Sequence, residues 1–162
     1  RPPHATHTPS AYRCPEVMAS VLVGHSYFLA FDRKQLERAK PYPPLATIQA
    51  AALLRRAGHR VALFDAMLAA GTAEFEAELR RMQPDVVVLD IIVPGRDGFT
   101  LLNDLATRQM HDLPVFVMSG FGDRYLSSAA RLGRVYGLNI AGEIPKPLNL
   151  DRLNDIFTPF KP

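Results

Sequence analysis

Apolar positions along this chain repeat with two periods that alternate from the first third to the end. Short runs rich in β-branched residues at 18–24, 60–65, 84–90, 114–119 and 138–144 read as strands, the last interrupted by Gly142. Between them apolar residues recur at helical spacing. Leu45, Ile48, Ala52 and Leu53 share a face that stops at Gly58. Phe75, Leu79 and Met82 follow, with Thr72 as N-cap, then Leu101, Leu102 and Leu105. Leu126, Ala129, Ala130 and Gly133 lie on one face behind a capping Asp123, and Leu150, Leu153 and Phe157 turn inward after Asn149. Residues 25–44 show no clear period beyond a helical turn near 33–39, and a loop of that length is usually functional.

Five strands alternating with five helices imply a parallel sheet with right-handed crossovers and helices on both faces. At 162 residues the expected fold is a single α/β domain. Its sheet is doubly wound and flavodoxin-like, with strand order 2-1-3-4-5. Residues 86–89 are apolar throughout, as a strand buried on both faces must be. Residues 1–17, with four prolines among small polar residues, read as a lead-in or linker, and residues 18–160 as the domain. His4 and His7 belong to that lead-in.

Composition narrows the function classes. The formal charge is only +3, and the densest basic cluster, Arg33, Lys34, Arg38 and Lys40, lacks interleaved aromatics. It reads as a solvated face rather than a direct nucleic-acid surface. One cysteine, Cys14, excludes an internal disulfide and suits a reducing, cytoplasmic setting. No apolar run reaches the roughly 18 residues of a membrane helix.

Chemistry gathers at the carboxyl ends of the strands in such a sheet. Three of the ends that meet there carry Asp90, Ser119 and Lys146. A carboxylate, a hydroxyl and an ammonium suit phosphoryl transfer, with Asp90 the nucleophile and the others offsetting phosphoryl charge.

Residues 85–157 resemble the receiver domain of two-component response regulators. The matching pieces are Leu89-Asp90-Ile91-Ile92-Val93-Pro94-Gly95-Arg96-Asp97-Gly98-Phe99, Val117-Met118-Ser119-Gly120 and Pro145-Lys146-Pro147-Leu148. The resemblance implies a non-enzymatic signalling domain of a phosphorelay. Asp90 would be the phosphoacceptor, and Ser119 and Lys146 the switch residues. Mg2+ would be held by Asp90 and the Ile92 carbonyl, and the Lys146–Pro147 bond would be cis. Its partners would be a histidine kinase or phosphotransfer protein and an output domain. The output side would dock on the face of the helix after Asp123, the strand at 138–144 and the last helix, with self-association left open.

Two positions depart from that family. The acidic pair that holds Mg2+ after the first strand is replaced by Gly24-His25-Ser26. Asp65 lies two strands from Asp90, roughly 10 Å at about 4.8 Å per strand, and Asp32 on the long loop is the other carboxylate available to a metal. The aromatic switch position is Glu143. Residues 18–89, through Pro43-Pro44-Leu45 and Leu54-Arg55-Arg56-Ala57-Gly58-His59-Arg60-Val61, are similar to the N-terminal cobalamin-binding domain of certain radical SAM enzymes. That similarity implies a hybrid joined near 84–90. Its ligand would be cobalamin or another small molecule, with His25, otherwise a surface loop histidine, the residue nearest to a cofactor role. A chimeric scaffold without chemistry is the third reading.

Overall fold

A computed structural model describes residues 19–38, 43–91 and 99–160. The lead-in with His4, His7 and Cys14, residue Lys40, and residues 92–98 lie outside the described residues. Five parallel strands, β1 (Ser20–His25), β2 (Arg60–Phe64), β3 (Val86–Asp90), β4 (Val115–Ser119) and β5 (Ile140–Pro145), run in the order β2-β1-β3-β4-β5. This is the expected doubly wound sheet.

The side-chain period of two divides each strand between two cores. Val86 and Val88 face one layer, Val87 and Leu89 the other. The first layer is covered by α2 (Leu45–Arg56) and α6 (Leu150–Phe157), which bring Ala50, Ala51, Leu54, Leu153 and Phe157. The second is covered by α3 (Thr72–Met82), α4 (Thr100–Thr107) and α5 (Asp123–Val135). Phe75, Leu79, Leu102, Leu105, Leu126 and Ala130 are buried there. All five residues of β3 are buried, as are all five of β4, so Asp90 ends one of the two fully enclosed strands of the sheet.

The expected apolar faces of α3, α4 and α5 are the buried ones. Other expectations need correction. On α2 the buried residues are Thr47, Ala50, Ala51 and Leu54, while Leu45 and Ile48 are exposed. The long loop carries a 3-10 turn (Leu29–Phe31) and the short helix α1 (Arg33–Arg38). Thr72 and Asp123 are first helical residues rather than N-caps. Gly71 and Gly122 hold the cap positions, and Gly122 has a φ of 87°. Asn149 does cap α6, accepting from the Arg152 N–H at 2.7 Å.

Gly142 marks a close approach rather than a weak strand. A Cβ there would lie 2.7 Å from the Phe116 ring, next to the register shift between Val115 and Phe116. No described helix is long and apolar enough to cross a membrane.

Candidate functional site at the end of the central strand

The strand ends bring Asp90 and Lys146 into direct contact. Asp90 is 1% exposed, and Lys146 Nζ donates to both of its oxygens at 2.8 Å. A buried carboxylate is costly unless its charge is met and its lone pairs are filled. The ammonium does the first. A third donor completes the second: Thr47 Oγ1, from α2, reaches Asp90 Oδ2 at 2.9 Å. Thr47 is itself fully buried.

Sequence reasoning missed Thr47. Its signal is the spacing Thr47, Ala50, Ala51, Leu54, at i, i+3, i+4 and i+7, in a helix that is apolar on most sides. The need to bring this hydroxyl to Asp90 selects that face over the one through Leu45 and Ile48.

Ser119 ends β4, one strand beyond Asp90. Its Oγ donates to the Ile91 carbonyl at 3.2 Å and accepts from the Phe121 N–H at 3.2 Å. The Lys146–Pro147 peptide is cis, as the resemblance implies. Gly120 lets the lysine stem pass, with Lys146 Cδ 3.4 Å from where a Cβ would stand. Glu143 ties β5 to α5 by accepting from Ser127 Oγ at 2.9 Å and lying 3.8 Å from the Arg134 guanidinium.

The β1 side is built differently. His25 is no surface loop residue: it is the last residue of β1, fully buried, and the register partner of Asp90. Its Nε2 meets Asp65 Oδ1 at 2.8 Å. Asp65 therefore reaches the site only through the imidazole. A carboxylate accepts, so Nε2 carries the proton and donates, which leaves Nδ1 with a bare lone pair. Nδ1 is buried with no hydrogen-bond partner among the described residues. Burial pushes the imidazole below its ordinary value, against the hydrogen bond and charge of Asp65 and the charge of Asp90; the Lys146 charge adds to the lowering.

Asp32 is engaged elsewhere, accepting from Tyr27 OH at 2.9 Å and from the Gln35 N–H at 3.0 Å at the start of α1. Ile92 lies outside the described residues.

Mg2+ demands near-octahedral oxygen ligands. Where a receiver presents acidic oxygens, this chain presents Gly24, with no side chain, and the His25 nitrogen. Both Asp90 oxygens already accept from Lys146. Among the described residues no group of three or more His, Cys, Asp or Glu could hold a metal. The described donor set does not fit Mg2+.

Among curated proteins, the chain is 34% identical over 65 residues to Response regulator RR06 of Streptococcus pneumoniae, covering 40% of this chain and 27% of that protein. It is 42% identical over 72 residues to the C4-dicarboxylate transport transcriptional regulatory protein DctD of Pseudomonas aeruginosa, covering 44% of this chain and 14% of that one. The chain thus spans less than a third of the length of these relatives.

The solved structure of a response regulator from Colwellia psychrerythraea matches with a TM-score of 0.61 at 19% identity, over 88% of this chain and 95% of that one. A Vibrio cholerae chemotaxis protein, CheY4, matches at 0.55 and 19%, over 89% and 99%. At such identities these likenesses speak for the fold alone. One family model, the response regulator receiver domain, runs unbroken through 84–90, so the comparisons give no support to a hybrid or to cobalamin. Because that model matches residues 44–158, most of its length, this chain belongs to the response regulator receiver domain family.

Proposed function

We propose that residues 18–160 act as one signalling module that takes a phosphoryl group on Asp90 from a histidine kinase or phosphotransfer protein. The observation that supports this best is the buried Asp90 carboxylate with Lys146 Nζ 2.8 Å from both oxygens. In the transfer an Asp90 oxygen attacks phosphorus and the donor's P–N bond breaks. The electron pair leaves with the donor imidazole, which takes a proton from solvent, and an aspartyl phosphate remains. Lys146 offsets the added charge at a site with little water, where such an interaction is strongest. The Ser119 hydroxyl, now turned to the Ile91 carbonyl, is the group free to swing to a phosphoryl oxygen. No step is routed through Mg2+.

Ser119 and Lys146 adjoin β5, which Glu143 fastens to α5. Rearrangement at Asp90 therefore has a short path to the face of α5, β5 and α6, the proposed docking surface for an output domain or partner protein.

The test is incubation with acetyl phosphate, in Mg2+ and in parallel in EDTA, followed by intact mass. Wild type gains one phosphoryl mass in at least one condition, and Asp90→Ala in neither. No gain in wild type, or an equal gain in the variant, overturns the proposal.

A further inference from the structure

The chain between β1 and α2 carries the densest basic cluster of the sequence, and the phosphoryl site leaves that cluster unused. Its first part is anchored. The Ser26 N–H donates to the Asp90 carbonyl at 3.1 Å, so the segment leaves β1 beside the reactive strand end. Phe28 is fully buried against Phe64, with ring centroids 6.2 Å apart. Tyr27 and Leu29 are buried with Met67. The second part is open to solvent. Phe31 stacks on Phe28 at 5.0 Å yet is 47% exposed. The helix α1 buries none of its six residues, and Leu36 is 50% exposed. A helix this short is marginal by itself, and most protein helices are held by a buried face. Here a cap stands in for burial: Asp32 accepts from the Gln35 N–H at 3.0 Å and from Tyr27 OH at 2.9 Å. Glu37 meets Arg33 at 3.3 Å, while Lys34 and Arg38, one turn apart, form no ion pair among the described residues.

We propose that α1 and Phe31 form the docking surface for the protein that donates the phosphoryl group, and that the element they receive is an acidic helix with apolar residues among its carboxylates. A donor must bring its phosphohistidine to the carboxyl edge of the sheet, where Asp90 lies. Arg33 follows Ser26 by seven residues, no more than about 25 Å of extended chain and less through the 3-10 turn. A partner that buries a standard ~800 Å2 per side covers a patch roughly 30 Å across. A protein seated over Asp90 therefore reaches α1. Charge complementarity selects the occupant. Three cations against Glu37 leave α1 positive. Exposed charge of one sign draws an oppositely charged partner and speeds its encounter. Phe31 and Leu36 add the apolar contact that charge lacks, and exposed aromatic anchors carry much of the energy of protein interfaces. The inference rests on Asp90 taking its phosphoryl group from a protein, and it names the surface that selects that protein.

The experiment is phosphotransfer profiling of the full chain. Each histidine kinase of the organism that encodes it is autophosphorylated with radiolabelled ATP, and the initial rate of transfer to the chain is measured. Acetyl phosphate labelling runs in parallel, and far-ultraviolet circular dichroism confirms that each variant is folded. At least one kinase transfers to wild type. Lys34→Glu with Arg38→Glu slows that transfer by about 10-fold or more at low ionic strength, and the loss shrinks as salt rises. Leu36→Ser slows it at every salt concentration. Arg56→Glu with Arg80→Glu makes the same charge change in the last turns of α2 and α3, at the opposite edge of the sheet, and stays within about threefold of wild type. Acetyl phosphate labels all these variants as it labels wild type. Transfer that the Lys34 and Arg38 changes leave intact, an equal loss in the Arg56 and Arg80 variant, or a matching loss of acetyl phosphate labelling would each overturn the inference. So would transfer from no kinase while acetyl phosphate still labels Asp90. Binding to phosphatidylglycerol vesicles, or dimerisation in sedimentation, that the Lys34 and Arg38 changes abolish without slowing transfer would give the surface to lipid or to a second copy, and overturns it too. Failure of acetyl phosphate to label wild type overturns the phosphoacceptor reading itself, so the two failures are told apart.

Discussion

On the β4–β5 side of β3, Asp90 meets an ammonium and, one strand on, a hydroxyl. On the β1–β2 side it is paired in register with an imidazole whose other nitrogen is tied to a second carboxylate. The first side has the residue types of the family, and its contacts with Asp90 are direct. The second carries His25 where the family's acidic pair is expected, with the Asp65 carboxylate 2.8 Å from its Nε2. The two sides also meet Asp90 through different physics. Lys146 is mostly buried, at 22% exposed, and supplies charge. Thr47 and Ser26 are wholly buried and meet Asp90 through hydrogen bonds, and the buried His25 lies beside it in register. One strand end therefore meets a charged partner on one side and buried polar groups on the other.

The largest effect should come from the charged half. Lys146→Met leaves a buried carboxylate without its counter-ion and should cost about 1–3 kcal/mol in urea unfolding, with an unchanged slope. Adding Asp90→Asn should restore most of that loss, because the penalty belongs to the unmatched charge. A Lys146→Met variant as stable as wild type would mean that the Thr47 side alone satisfies Asp90.

Next is the neutral comparison across the strand. Thr47→Val removes a hydroxyl that donates to a carboxylate and should cost about 1 kcal/mol or more. Ser119→Ala removes a hydroxyl bonded only to backbone and should cost less. The reverse order would place the structural weight on the β4 side.

Smaller again is the link from the site to the docking face. Glu143→Ala breaks half-exposed contacts to Ser127 and Arg134 and should cost only about 0.2–1 kcal/mol. It should, however, speed hydrogen exchange at the α5–β5 contact more than elsewhere.

The smallest effect concerns Asp32. The Gln35 N–H, then the Tyr27 hydroxyl, hold its carboxyl below the usual range. Its contribution to stability is therefore present above the ordinary carboxylate value and is lost as pH falls through the lowered folded one. Asp32→Asn should flatten the acid limb of the stability curve slightly and leave Asp90 chemistry unchanged.

The fold was legible because periodicity and Gly/Pro punctuation agreed along most of the chain. The buried faces of α3, α4 and α5 were readable from spacing alone, since each has polar residues on its other side. The helix α2 was not. Leu45, Ile48, Leu53 and Leu54 surround it with apolar positions, so period could not choose a face, and a tertiary contact, Thr47 to Asp90, made the choice. At the site, Asp90 and Lys146 were readable because a lone charge at the end of an apolar strand is conspicuous. The His25–Asp65 pair was hidden for the opposite reason. Its members are 40 residues apart, one at the end of β1 and one just after β2, and only the fold brings them within 2.8 Å.

The central claim is that Asp90 is the reactive carboxylate of this receiver. It is tested most directly by borohydride trapping after acetyl phosphate treatment, which reduces an aspartyl phosphate to homoserine, with peptide mass mapping to locate the change. The account predicts conversion at Asp90 and no conversion at Asp32, Asp65 or Asp97. Conversion at another aspartate, or none at Asp90, would contradict it.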